Sequence, residues 1–330
     1  MAFDQGALST LSEEISDPKR FIYTPILGAK TMDYLDKYNG IFGQNYRLPT
    51  FETTAPWQAA TGCSYTTSGT TTNSQFTLPT VPIAIQEAIC PKDLWAEHTY
   101  RWADSKNDPD TVDIVSQWIE RKMAVHTRNL EQAIWKSNTT TGPGIATFLK
   151  QFNGLIQRID AATDEVIVTA QASISTSTIR TIVEEFVFDD IPNRILDMEP
   201  ILFMSYEHFR MLLQKLYIDN MYHVPPASTG TASKMEMIYP GSNVKIVAVP
   251  GLNSNSTDVG VETGALTTAM QNRMFATYKG NFAVGLGIGE GKDAFEVWYS
   301  QDDRVIRCSM TFHIGFGIKQ TNNVVSYLNT

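Results

Sequence analysis

The alternate glycines near the C-terminal end are the residues most like a chemical motif. Gly285, Gly287, Gly289 and Gly291 precede Lys292, as glycines and a lysine do in loops that bind phosphate. A P-loop needs glycine at position 286 and serine or threonine at 293, where this chain has leucine and aspartate. The dinucleotide-binding spacing also fails, because residue 290 is glutamate. The pattern therefore predicts a glycine-rich connection between strands.

Histidines and carboxylates, the usual acid–base and metal-binding groups, are scattered rather than grouped. Ser64 lacks the second flanking glycine of a nucleophile elbow, because residue 66 is threonine. The acidic pairs at 184–185, 189–190 and 302–303 suit solvated helix and turn positions better than an acid–base dyad. No metal-ligand spacing joins the histidines to each other or to cysteine: His98, His126, His208, His223 and His313. We expect no enzyme, cofactor or metal site, and a hydrolase is the weakest hypothesis.

Charge and composition narrow the choice of partners. The net charge of −9 and the isoelectric point near 5.1 argue against a protein that binds nucleic acid tightly through the phosphate groups. Only 18% of residues are charged and 11% are aromatic, which is typical of surfaces buried against other copies, or of one large, well-buried monomer. The three cysteines are widely spaced and predict no disulfide framework, consistent with a reducing cytoplasm. We expect neither a secretory signal nor a membrane span, since no long apolar run occurs.

A long uncharged segment separates Glu52 from Glu87, and threonine is its commonest residue. Alternating side chains at 46–50 and 76–80 predict two strands, with turn residues at 68–69 and 72–73 between them. The prolines at 49, 56, 79 and 82 argue against a central position in a sheet, because proline cannot donate to the ladder. An isolated two-stranded hairpin is marginal in water. We therefore expect a projecting hairpin that lies against another protein.

A long helix is the strongest secondary-structure prediction. Asp108 is a suitable N-cap, followed by Pro109 at the first helical position. Apolar residues then recur at steps of three and four from Val115 to Ile134, and no glycine or proline interrupts before Gly142. No second helix of similar length follows. The sequence therefore predicts one structural helix over about 109–137, and a shorter helical patch over 26–38.

The remainder mixes helices and strands. Serine at 175 or 177 caps a predicted helix that ends before Pro192, and Ser205 caps a second one with an apolar face. The segments 200–204 and 244–249 read as buried strands. Strands over 295–299 and 305–313, joined by the turn at 301–303, predict an antiparallel hairpin.

This order of elements resembles the major capsid protein of tailed bacteriophages, the Hong Kong 97-like fold, whose class is α+β. Local likeness is greatest in three stretches: 131–135 followed by 152–155, 238–241 through 249–252, and the final hairpin with 323–325. The resemblance covers nearly the whole chain.

The resemblance implies a division into named regions. An N-terminal arm would span 1–44, an extended β-hairpin called the E-loop 45–88, and a peripheral domain with a spine helix 89–150. An axial domain would cover 151–272. Peripheral return strands would follow over 273–315, and the C-terminal residues 316–330 would return to the axial domain.

The resemblance also implies where copies of the chain meet. The E-loop would contact the neighbouring subunit through Trp57, Tyr65, Phe76 and Leu78. The loop 222–233 would lie nearest the axis of each capsomer, with His223, Pro225 and Pro226.

The implied function is a structural one. Copies would self-assemble as hexamers and pentamers into an icosahedral shell that encloses double-stranded DNA without binding it specifically. Further partners would be a portal protein and a separate scaffold. The scaffold is expected to be separate because the chain has only a short arm, where some members carry a long scaffolding segment that is later cleaved. A cement or decoration protein is a possible additional partner. The location would be the virion, after assembly in the host cytoplasm, with no membrane. The alternative is a surface- or carbohydrate-binding β-rich protein that uses the threonine-rich arm.

The uncharged arm offers no nucleophile for a covalent link between subunits. Some members of the family join an E-loop lysine to a distant asparagine, but here no lysine lies between Lys37 and Lys92. We therefore expect assembled particles, boiled in denaturing detergent, to run on a gel as monomers near 36.8 kDa. A ladder of multimers would contradict this prediction.

Overall fold

The computed structural model describes residues 28–42, 45–54, 57, 68–90, 114–140, 147–168, 174–219, 235–253, 272–288 and 295–327. The expectations for the first 27 residues, for the start of the long helix at Asp108 and for the loop 222–233 lie outside these residues.

The strands, in chain order, are β1 (Asp36–Asn39), β2 (Tyr46–Thr54), β3 (Thr70–Leu78), β4 (Val81–Ile89), β5 (Val166–Val168), β6 (Pro200–Met204), β7 (Glu236–Ile238), β8 (Lys245–Ala248), β9 (Met274–Tyr278), β10 (Phe282–Ile288), β11 (Phe295–Ser300), β12 (Val305–Ile318) and β13 (Val325–Tyr327). The α-helices are α1 (Ile114–Lys136), α2 (Leu155–Asp160), α3 (Ile179–Glu184), α4 (Asn193–Leu196) and α5 (Tyr206–Ile218). A π-helical turn, Glu185–Asp190, continues α3, and a 3₁₀ turn, Lys30–Tyr34, precedes β1.

The first sheet is organised around β12, whose 14 residues make it the longest strand described. One edge of β12 pairs with β4, and the other pairs with β10 and then with β11, all antiparallel. Strands β10 and β11 therefore lie end to end along the same edge, and β1 adds to β10 in parallel. The antiparallel β11–β12 hairpin predicted from its turn is confirmed.

The second sheet has the order β5-β13-β9-β6-β8-β7. Its central strand β6 is apolar and buried at every position, because both faces are covered. In β6, Ile201 and Phe203 belong to a core shared with α1, whereas Leu202 and Met204 belong to a core shared with α3 and α5. The buried strand predicted at Pro200–Met204 is thus confirmed.

Local signals predict the start of α5 correctly, whereas the N-cap of α3 is Thr178 and not the predicted Ser175 or Ser177. The hydroxyl of Ser205 accepts a hydrogen bond from the backbone N–H of His208 at 3.1 Å, so the predicted N-cap of α5 is present. The α1 helix is continuous over its 23 residues, about 34 Å. Its C-terminal turn is fully buried through Ile134 and Trp135, which makes α1 the wall against which both sheets pack.

Two sequence predictions change. The described part of the helical patch predicted over 26–38 is a single 3₁₀ turn followed by β1, because residues 36–39 find a parallel partner in β10. The segment from Val81 onward does not belong to the projecting hairpin but pairs with β12. Pro82 is tolerated there because β4 is an edge strand among the described residues.

Replacing Ala124 by proline tests the continuity of α1. Ala124 is exposed, so the change removes a helix hydrogen bond and adds a clash without removing a packed side chain, at a cost of about 3 kcal/mol. We expect misfolded, insoluble protein, measured as the soluble fraction and the helical circular dichroism. Ala124→Ser at the same exposed position is the control and should stay soluble. Soluble Ala124→Pro protein with wild-type helicity would contradict a continuous helix.

Candidate functional site

Two of the carboxylates that suggested chemistry, Glu184 and Asp303, have structural partners. Glu184 accepts hydrogen bonds from Arg180 Nε at 2.8 Å and from the Tyr239 hydroxyl at 3.2 Å, and Asp303 pairs with Arg307. Burial lowers the pKa of both His126 and His208. Within the described ranges, no group of three or more His, Cys, Asp and Glu side chains is placed to hold a metal ion. None of the described helices is long and apolar enough to cross a membrane.

The glycines at 285 and 287 lie inside β10, so the predicted glycine-rich connection is wrong at these positions; Gly289 and Gly291 lie outside the described residues. Along β10, large residues alternate with small ones. Phe282, Val284 and Leu286 face the core that contains α1, and Ala283, Gly285 and Gly287 face the other side. The reason is close approach of other groups, which glycine in a strand permits: a Cβ at Gly287 would overlap the carbonyl oxygen of Ile41, and one at Gly285 would meet the side chains of Thr80 and Leu78.

Strand β12 repeats this alternation in register with β10. Gly285 pairs with Gly315 and Ala283 pairs with Gly317, so small residues from two strands form one continuous face. A Cβ atom at Gly315 would overlap the carbonyl oxygen of Pro79, and one at Gly317 would come within 2.5 Å of Phe76 Cζ. We call this face, formed by Ala283, Gly285, Gly287, Gly315 and Gly317, the glycine face.

The base of the β2–β3 hairpin docks on the glycine face. Phe76 and Leu78 are buried there, and with Ile41 and Ala283 they form a small separate core. Leu48 on β2 packs against the same group. The chain can cross the sheet this closely only because the face has no side chains larger than alanine. One end of the hairpin is therefore held firmly by the sheet.

The far end of the hairpin is exposed. Nine pairs join β2 to β3, from Tyr46 opposite Leu78 to Thr54 opposite Thr70. Near the tip, the Thr54 and Thr70 hydroxyls lie 2.9 Å apart and the Thr53 and Thr71 hydroxyls 3.4 Å apart, all on exposed side chains. Trp57 is fully exposed. The result is a short arm with a fixed base and an uncharged, hydroxyl-lined tip.

A groove of about 600 Å³ lies between β4 and α1. Its floor includes Ile83, Ile85 and Phe312, and its helical wall includes His126 and Asn129. The Asn129 Oδ1 atom is buried and accepts no hydrogen bond from the described residues. An ion pair of 3.0 Å between Lys122 and Glu87 bridges the two walls.

The residues expected to contact a neighbouring subunit separate into three groups. Trp57 is at the exposed end of the hairpin, whereas Phe76 and Leu78 are occupied inside the chain and present no free surface. Tyr65 and the loop residues His223, Pro225 and Pro226 lie outside the described residues. The sequence reading missed the glycine face, although glycines two residues apart, at 285 and 287 and at 315 and 317, signal close backbone approach in a strand.

Comparison with known proteins gives structural matches alone. No model of a protein family matches the sequence, and no curated protein sequence matches it significantly. The fold is similar to a chain in the satellite phage P4 procapsid that includes the size determination (Sid) protein. That alignment has a TM-score of 0.56 and 9% identity over 99% of this chain and 98% of that one.

Two further solved structures agree. A chain from Mycobacterium phage Ogopogo aligns with a TM-score of 0.54 and 14% identity over 89% of this chain and 90% of that one. The capsid of an empty GTA particle aligns with a TM-score of 0.53 and 9% identity over 91% and 89%. The chain has the α+β fold of phage capsid proteins.

Replacing Gly315 by alanine tests the docking of the hairpin base. The added Cβ overlaps backbone atoms of Pro79 rather than a flexible side chain, and we expect overpacking to cost about 1–3 kcal/mol. Chemical denaturation measures the loss. Gly280→Asn is the control: no atom lies within 4 Å of a Cβ there, and asparagine bears the positive φ of Gly280 better than most residues, so its loss should be smaller. An unchanged free energy of unfolding for Gly315→Ala would refute close docking.

Proposed function

We propose that this chain, which has the fold of phage capsid proteins, is the major capsid protein of a tailed phage. Copies would assemble as hexamers and pentamers into an icosahedral shell that encloses the phage genome. The observation that carries the proposal is the hairpin. Its base is held on the glycine face, while the threonine side chains at 53, 54, 70 and 71 and the Trp57 side chain at its far end are exposed.

The regions of the Hong Kong 97-like fold can be assigned to the described elements. We assign the E-loop to the β2–β3 hairpin and the spine helix to α1. The peripheral domain would combine α1 with the sheet around β12, and the axial domain would combine the second sheet with α3 and α5. Residues 222–233 would lie at the capsomer axis, and the N-terminal arm would be residues 1–44, which include the 3₁₀ turn at Lys30–Tyr34 and β1.

The chemistry of the hairpin tip suits contact with a second copy. Threonine hydroxyls both donate and accept hydrogen bonds, so a neighbour can satisfy them without an ion pair. An uncharged tip also avoids the cost of desolvating charges at an interface. Trp57 supplies the large apolar area that interface anchors use. Phe76 and Leu78 would not contact the neighbouring copy themselves. They would hold the base of the hairpin on the sheet and so fix the direction in which the tip projects.

The remaining partners follow from the same proposal. A portal protein and a separate scaffold would act during assembly in the host cytoplasm, and a cement protein remains optional. The net charge of −9 suits a protein shell that encloses double-stranded DNA without binding it tightly. The mature location would be the virion.

Replacing the tip tests the role of the hairpin. In one variant, residues 55–69 become a short Gly-Ser turn that preserves the pairing of Thr54 with Thr70. In a second variant, a Gly-Ser segment of equal length replaces them. If the tip contacts a neighbour, both variants should fold with a thermal midpoint within about 3 °C of the wild type. Both should fail to form closed shells, because the loss recurs at every contact.

Electron microscopy and thermal unfolding separate the outcomes. Failure of the short variant alone would mean that length, and not side chains, matters. Normal shells from both variants would refute an assembly role for the tip, and a large drop in the thermal midpoint would place the tip in the core of the monomer. Dispersed wild-type monomers that bind glycans would favour the surface-binding alternative.

A further inference from the structure

Residues 29–39, here called the strap, connect the two sheets. At its end, β1 pairs with β10 of the first sheet, and Asp36 forms an ion pair with Lys319 at the end of β12. Earlier in the strap, the Tyr34 hydroxyl donates to Glu236 Oε1 on β7 at 2.6 Å and accepts from Lys245 Nζ on β8 at 3.2 Å. The strap therefore holds both sheets at once.

The middle of the strap is attached to α1 through a buried carboxyl group. The backbone N–H of Thr31 donates to both carboxyl oxygens of Glu131, at 3.3 and 3.2 Å, and the Thr31 hydroxyl lies in hydrogen-bonding contact with the same group. The Trp135 indole N–H donates to that hydroxyl at 2.8 Å. Glu131 is 2% exposed and Thr31 is fully buried.

Several charged and titratable groups face this contact. Burial raises the pKa of Glu131 to about 7. It outweighs the hydroxyl and N–H of Thr31, the charge of Lys30 and the N–H of Gly251, all of which favour the carboxylate. Tyr206 on α5 lies beneath the Lys30 ammonium, with 5.7 Å from Nζ to the ring centroid, and burial raises its pKa.

Groups farther along the strap and the helix titrate outside the neutral range or in the opposite sense. Burial and the bond to Glu236 raise the pKa of Tyr34 far above its usual value. Lys319 and Lys245 hold the pKa values of Asp36 and Glu236 below their usual range. Burial lowers the pKa of Lys136, next to Glu207, to about 8. A lysine with a lowered pKa adds stability to the docked state as the pH rises above about 8. Titration of Lys136 would therefore act against a loss of stability caused by Glu131 at high pH.

We propose that Glu131 is a proton-operated latch, which keeps the strap docked across both sheets while its carboxyl group is protonated and loosens it once the carboxylate forms. With the proton on Oε2, the protonated group can still accept from the Thr31 hydroxyl and N–H through Oε1. The ionised group is a buried negative charge, which favours any state that lets water reach it. Opening of the strap frees the second sheet from the first at this point.

The sign of the pH dependence follows from the raised pKa. The stabilisation is fully present below the ordinary glutamate pKa of 4.5 and is lost as the pH rises through about 7. Between pH 6 and pH 8, the equilibrium constant for opening the strap should rise about tenfold and then level off. The latch goes beyond the proposed function and stands without it.

Hydrogen exchange measured by mass spectrometry on the full-length chain tests the latch. Exchange of the peptide that contains residues 29–39 is followed at pH 6, 7 and 8 and corrected for the intrinsic effect of pH. We expect the opening constant of the wild type to rise about tenfold. In Glu131→Gln, whose amide copies the protonated carboxyl group, the opening constant should not change with pH.

Glu165→Gln is the matched control. Burial and Asp160 raise the pKa of Glu165 to about 7 as well, but it lies beside Arg273 and Ser326, away from the strap. This variant should keep the wild-type slope in the strap. A flat wild-type profile overturns the proposal whether or not Glu131→Gln folds, and so does an equal slope in wild type and Glu131→Gln.

Discussion

Trp135 is the point at which the helix, the strap and both sheets meet. Its ring stacks on Phe275 at 5.6 Å between centroids and meets Phe203 at 5.4 Å, both in the second sheet. It also meets the edge of Phe282, in the first sheet, at 5.9 Å. Its indole N–H binds the strap through Thr31. Aromatic clusters of this kind bury large areas with defined geometry, so the relative position of the sheets depends on this side chain being completely enclosed.

The burial of Trp135 in turn depends on large side chains on one face of β10 and β12 and small ones on the other. Large side chains, such as Val284 and Phe316, fill the core beside α1, and glycines on the opposite face admit the base of the hairpin. A register slip of one residue would exchange the two faces and place the large side chains where the base of the hairpin crosses the sheet. The register of these strands therefore fixes both the core and the direction in which the hairpin projects.

Local signals made part of the fold predictable. The Ser205 cap, the apolar run of β6, the turn between β11 and β12 and the uninterrupted pattern of α1 each depend on neighbouring residues, and each was read correctly. The hairpin strands were also found, but the turn predicted at 72–73 is wrong because these residues pair with β2 inside β3, and β4 was assigned to the E-loop. The glycine face and the Thr31–Glu131 contact were missed because they join segments far apart in sequence. Glu131 in particular looks like any exposed helix glutamate until its burial is known.

The partners of β12 have a consequence for the order of events during synthesis. Strands β1 and β4 come from the first third of the chain, yet they pair with β10 and β12 near its end. Pairings this distant in sequence are slow to form and leave strand edges uncovered meanwhile. On the ribosome, α1 and the hairpin emerge long before the sheet that supports them. The first sheet can close only when almost the entire chain has been made, so the hairpin of a partly translated chain has no sheet to support it.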